Sequence, residues 1–121
     1  MEFLALIHSD QTAWEGLSDE DRDSVYERYG EFARAAEAAG VLRGGDELEA
    51  TTAATTVRVR DGETLVSDGP YAEIKEALGG YFLLECRSMD EALDWASRIP
   101  AADHGAIEIR PVHVETDGAA A

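Results

Sequence analysis

Residues able to do acid-base or electrostatic chemistry concentrate in one stretch, Asp68-Gly69-Pro70-Tyr71-Ala72-Glu73-Ile74-Lys75-Glu76-Ala77-Leu78-Gly79-Gly80, set between two apolar runs. A carboxylate such as Asp68 can take a proton or close a turn, and a tyrosine such as Tyr71 can wall a pocket while its hydroxyl makes a hydrogen bond. Lys75 lies between Glu73 and Glu76. A lysine among acids stays protonated, which favours electrostatic binding of an anionic group over nucleophilic amine chemistry. Gly69 and Pro70 force a sharp turn at Asp68, because glycine admits positive φ while proline fixes its own φ and offers no N–H. Each residue also has a plain structural explanation: a turn cap for Asp68, a core plug for Tyr71, solvated charges for Glu73, Lys75 and Glu76.

His8 is the histidine best placed for chemistry, since it ends the apolar run Phe3-Leu4-Ala5-Leu6-Ile7. It becomes a proton-transfer group if Asp68 or Glu76 comes within hydrogen-bond reach, because a carboxylate orients the imidazole and stabilises its charged form. Otherwise it is a surface histidine where a strand enters the polar Ser9-Asp10-Gln11-Thr12 segment. His104 and His113 read as incidental. Cys86, the lone cysteine, cannot form an intrachain disulfide and reads as a small buried hydrophobe, so a reducing compartment fits. The sequence has no Gly-rich phosphate loop, no Gly-x-Ser-x-Gly elbow, no His-Glu-x-x-His pair and no zinc-ligand spacing, and no metal or cofactor is expected.

The 121 residues fit one domain, expected over 1–115, with 116–121 expected to be a disordered tail. Acidic residues number 26 against 10 basic ones, a formal charge of −16, so nucleic acid and anionic lipid surfaces are poor partners. The acids are scattered rather than blocked, which points to solubility rather than to a cationic partner. No segment reaches transmembrane length and the first residues read as a strand, so a cytoplasmic protein is expected.

The elements that must position these groups follow from periodicity. Met1 to His8 reads as a central strand buried on both faces. A polar connector carries Trp14, either a cover for a pocket mouth or a packed anchor. Ser18 with Asp19, Glu20 and Asp21 starts a helix, Val25, Tyr29, Phe32, Ala33 and Ala36 give it an apolar face, and Gly40 stops it. Val41-Leu42 opens a short strand broken at Gly44-Gly45. Thr55 to Arg60 alternates as a half-buried strand, and Asp61-Gly62 turns it into Thr64-Leu65-Val66. Tyr81-Phe82-Leu83-Leu84 is a second central strand. Ser88 and Glu91 form a capping box for a helix with a stripe of Ala92, Leu93, Ala96 and Ile99, ended by Pro100. Ala106 to Val112 is a final strand near an edge, since Pro111 cannot donate to a ladder. This order fits an α+β, ferredoxin-like split βαβ pattern with an elaborated middle. Two helices cannot cover both faces of its sheet, so a second copy is the simplest cover, and a homodimer is expected.

Asp68-Gly69-Pro70-Tyr71-Ala72-Glu73-Ile74-Lys75-Glu76 resembles the signature of the DGPF-motif subgroup of the YCII-related proteins, with Tyr71 where Phe is usual and Ile74 where Thr is usual. Similarity extends to the first strand, to Ala39-Gly40-Val41-Leu42, to Thr55 through Gly62 and to Glu108-Ile109-Arg110-Pro111-Val112. The resemblance implies a dimeric α+β barrel in which two sheets pack face to face. It also implies one of two roles. The first is an acid-base enzyme of isomerase or lyase type acting on a small organic molecule, with His8 and Asp68 as the catalytic candidates and Tyr71, Glu73, Lys75 and Glu76 as ligand-binding candidates. The second is a non-catalytic ligand-binding or regulatory accessory protein, whose relatives are often encoded near extracytoplasmic-function sigma factors. A purely structural dimer is a third reading.

Overall fold

The computed structural model describes residues 1–115, so the expectation for the tail at 116–121 lies outside the described residues. Strand β1 (Glu2–Asp10) leads into a one-turn helix α1 (Gln11–Glu15), where a polar connector is expected. Asp10 caps α1 by accepting from the Thr12 N–H at 2.9 Å, a contact that sequence spacing alone does not distinguish from a turn. Helix α2 (Asp19–Ala38) begins at Ser18, whose hydroxyl accepts from the Asp21 N–H at 3.1 Å, and Gly40 beyond its end adopts φ +72°, as the helix stop requires. Strands β2 (Leu42–Glu47), β3 (Thr55–Arg60), β4 (Glu63–Asp68) and β5 (Glu76–Glu85) follow. Helix α3 (Met89–Ala96) and strand β6 (Ala106–Pro111) complete the order.

Four strands form one antiparallel sheet in the order β2-β5-β1-β6, with β1 and β5 central and the Pro111-bearing β6 at an edge. The α+β arrangement is compatible with a ferredoxin-like fold. One face is the core. Phe3, Ala5 and Ile7 of β1 alternate onto it opposite Leu84, Phe82 and Gly80 of β5, and pack with Phe32 and Ala36 of α2, Ala92 and Ala96 of α3, and Ile99. Phe32 lies 5.0 Å from Phe82 and 6.2 Å from Trp95 between ring centroids, joining both helices to the sheet. Phe3, Leu84 and Ile99 are sealed from solvent, each removing an apolar side chain whose burial is worth about 1.5–3 kcal/mol. Ile99, expected in the helical stripe, falls three residues past α3 and fills the core from the following turn. Cys86 is buried as expected, and burial leads the causes that push its thiol pKa up.

The other face departs from the expectation of full burial. Leu4, Leu6 and His8 stand opposite Leu83, Tyr81 and Leu78 of β5 and Arg110, Glu108 and Ala106 of β6, and all three β1 residues are half-buried rather than buried. The continuous apolar run therefore marks a strand with one closed and one open face. Strands β3 and β4 also differ: joined at Asp61-Gly62 as expected, they form a separate two-stranded sheet, and Val57 and Val59 are exposed rather than half-buried because no second layer among the described residues lies against them.

The pairing of β1 with β5 slips between Ile7 and His8: Ile7 faces Gly80, but His8 faces Leu78, leaving Gly79 as an extra residue. Strand β5 begins at Glu76, so the second half of the charged stretch is strand and not loop.

Candidate functional site

His8 is held by β1 at the rim of the open face, between Leu78 on one side and Ala106 on the other. Gly105 lets β6 start against the backbone of β1, since a Cβ at that position would overlap the carbonyl oxygen of His8. Two residues into β6, the alternation of Ala106-Ile107-Glu108-Ile109-Arg110 turns Glu108 and Arg110 onto the same face as His8. Glu108 Oε1 sits 3.5 Å from His8 Nε2, and its other oxygen lies 3.6 Å from Arg110 Nη1. The side chain of His8 is 21% exposed, yet its Nε2 is buried with no hydrogen-bond partner. Nδ1 is neither buried nor bonded among the described residues, so the ring offers that nitrogen outward while Nε2 waits beside a carboxylate.

His8 also lines a cavity of about 470 Å³. Three further segments build its wall: residues 48–51, 53 and 54 after β2, residues 70–72 and 74 of the turn after β4, and Ala77 and Leu78 at the start of β5. Each is tethered. The Gln11 side-chain oxygen of α1 accepts from the Thr51 N–H at 3.1 Å and from the Thr51 hydroxyl at 2.9 Å, fixing the 3-10 turn Thr51–Ala53. Gly69, at φ +101°, donates its N–H to the Ala54 carbonyl at 2.8 Å, and its own carbonyl accepts from the Thr56 hydroxyl at 2.8 Å. The Arg58 guanidinium lies 4.9 Å over the Tyr71 ring, an arrangement that steadies an aromatic otherwise surrounded by solvent.

Of the residues singled out by sequence, His8 and Tyr71 meet at this cavity; Asp68, Glu73, Lys75 and Glu76 do not line it. Tyr71 is not a core plug: the Gly69-Pro70 turn throws it outward, and its ring is one of the most exposed large apolar surfaces of the chain. Asp68 ends β4 opposite Thr55, and Glu76, the first residue of β5, lies opposite Asp10. Glu73 and Lys75 are exposed, and Lys75 has no ion-pair partner among the described residues. Neither Asp68 nor Glu76 comes within 4.0 Å of the His8 imidazole; the carboxylate that does is Glu108. Sequence reasoning missed Glu108, although its place in an alternating strand is the signal that could have found it. Trp14 packs edge-on to Tyr26 at 5.4 Å, which makes it an anchor between α1 and α2. Among the described residues no group of three or more His, Cys, Asp or Glu side chains is arranged to hold a metal ion, and no helix is long and apolar enough to cross a membrane.

The open face ends toward β2 with a second polar pair. The Tyr81 hydroxyl donates to Asp46 at 3.1 Å, and that bond to a carboxylate raises the phenol pKa, keeping Tyr81 protonated as a donor.

The chain is 38% identical over 120 residues to an uncharacterized protein of Rhizobium meliloti (strain 1021), an alignment that covers 98% of this chain and 97% of that protein. Residues 1–116 match the YCII-related domain family. The chain belongs to the YCII-related domain family.

Proposed function

We propose that this chain, as a DGPF-type member with one YCII-related domain over residues 1–115, moves a proton on a small organic molecule bound in the cavity beside His8. The observation that carries the reading is the imidazole itself: Nε2 buried without a hydrogen-bond partner at 3.5 Å from Glu108, and Nδ1 open. A proton on Nε2 facing Glu108 leaves the Nδ1 lone pair free to take a proton from a bound C–H or O–H. Glu108 then stabilises the imidazolium, with Arg110 Nη1 3.6 Å from its other oxygen. The gap of 3.5 Å closes on ligand binding, as catalytic hydrogen bonds commonly do between the free and bound states. Asp68 acts in this scheme as the residue that ends β4 and sets the turn, not as the base.

Solvent exchange tests the reading. The chain is incubated in D2O with a panel of small lactones and ketones, each bearing an acidic C–H, and loss of the substrate proton signal is followed by NMR. Exchange is expected for at least one compound, abolished in His8→Ala and slowed in Glu108→Gln. If no compound exchanges, or if the His8→Ala chain is as fast, the proton-transfer reading fails. Should binding raise thermal stability without any exchange, the accessory-protein reading takes its place.

Two copies packed through their open sheet faces complete this protein as a dimeric α+β barrel. The half-buried row of Leu4, Leu6, Tyr81 and Leu83 supports it, being apolar surface that one chain leaves without a second layer. Light scattering at micromolar concentration is expected to give twice the chain mass, and Leu6→Glu to give a single chain; a single-chain mass for the unaltered protein refutes the dimer.

A further inference from the structure

We propose that the cavity selects an uncharged, largely apolar ring compound and rejects carboxylates and phosphates, with Tyr71 and Ile74 setting that preference. The proposal rests on the reading of this cavity as the site served by His8, and adds the class of molecule it takes. Four large apolar side chains converge on the cavity while remaining well exposed: Tyr71 at 77%, Ile74 at 58%, Leu48 at 42% and Leu78 at 37%. Apolar surface clustered around a concavity is surface awaiting an apolar occupant. A volume of about 470 Å³ suits a small organic molecule.

Charge points the same way. None of the chain's 10 Lys and Arg residues lines the cavity, and the charged residue that does is an acid, Glu49, on a chain of net charge −16. An anion entering would lose its hydration against a lining without a cation, the Arg58 guanidinium being taken up over the Tyr71 ring. Lys75, the expected anion binder, is outside the lining. Polar recognition is sparse as well, because the Thr51 hydroxyl is already bonded to Gln11. What remains is the His8 imidazole, the Tyr71 hydroxyl and Glu49, enough to orient one carbonyl or hydroxyl on an otherwise apolar body. Ile74 puts a branched hydrocarbon into this wall, and an isoleucine can only repel a charged substituent that desolvates against it.

The test compares two probes of one shape, coumarin, a neutral aromatic lactone, and its 3-carboxylate, by NMR titration of backbone and methyl signals of the full chain. Coumarin is expected to shift the signals of Ile74, Leu48 and Ala77 and to bind at least about tenfold more tightly than the carboxylate. Ile74→Lys, at an exposed position that leaves folding intact, is expected to reverse the order. Equal or tighter binding of the carboxylate to the unaltered chain overturns the proposal, as does binding of neither probe up to millimolar concentration. A preference for coumarin that persists in His8→Ala, without solvent exchange in the unaltered chain, supports this proposal while defeating the proton-transfer reading, so the two fail separately.

Discussion

Gly105→Ala is the change that most sharply tests the packing behind the candidate site. A methyl at Gly105 would overlap the His8 carbonyl oxygen and stand 3.2 Å from both the His8 carbonyl carbon and the Ser9 Cα. These neighbours are backbone atoms of a central strand, so no side-chain rotation relieves the clash. Strand β6 must instead move away, loosening the pairs His8 with Ala106 and Ile7 with Ile107. Overpacking of this kind costs about 1–3 kcal/mol, and the smaller entropy of an unfolded alanine returns about 0.4–1 kcal/mol. A net loss of about 1–2 kcal/mol lowers the melting temperature of a chain this size by roughly 3–10 °C. The same displacement carries Glu108 away from Nε2, so the His8 ring resonances shift with the melting point. Gly79→Ala is the control: nothing lies within 4 Å of a Cβ there, and its stability should stay within about 0.5 kcal/mol of the unaltered chain. Thermal unfolding followed by circular dichroism, with the histidine spectrum recorded alongside, reads both effects. If Gly105→Ala melts with the unaltered chain, or if the two variants fall together, the close approach of β6 to His8 is not what holds the site.

Ser88→Ala should cost about 1 kcal/mol by thermal unfolding, since the Ser88 hydroxyl accepts from the Glu91 N–H at 3.2 Å and caps α3. The Arg87 hydrogen bond, 2.7 Å long, holds the Glu91 carboxyl below its ordinary value of 4.5. A depressed carboxyl contributes stability that is present above 4.5 and lost as pH falls through the lower folded value, so the small penalty of Arg87→Ala at neutral pH should vanish in acid, as paired unfolding curves would record. Cys86, buried and with its thiol pKa raised, should resist a thiol-reactive dye at neutral pH and react fully only in denaturant.

Local signals were legible in the sequence. Ser18, Gly40, Asp61-Gly62 and Ser88 each mark a boundary through the backbone of their immediate neighbours, and the structure puts a cap, a stop or a turn at each. What escaped depends on which strand lies beside which. His8 and Glu108 are far apart in the chain, and only the antiparallel register of β1 with β6 makes them neighbours. Tyr71 is apolar enough to suggest the core, yet the direction of the turn at Gly69 decides its side, and that direction is set by the bond from Gly69 to Ala54. Val57 and Val59 alternate as a half-buried strand should, but alternation reports that one face could be covered, not that anything covers it. Phe3 to Ile7 misled in the same sense: its unbroken apolar run carries no period from which an open face can be read.

The bulge at Gly79 divides β5 into two stretches of opposite sidedness. From Gly80 onward the even-numbered residues Gly80, Phe82 and Leu84 turn toward the helices; before it Ala77 does, while Leu78 joins His8 on the far side. One strand thus belongs to two neighbourhoods, joined at the extra residue Gly79. Natural variation, or a designer, can exchange side chains at the cavity end without disturbing the interlocked aromatic core beyond Gly80. A lineage built on this frame can change what it holds while keeping how it folds.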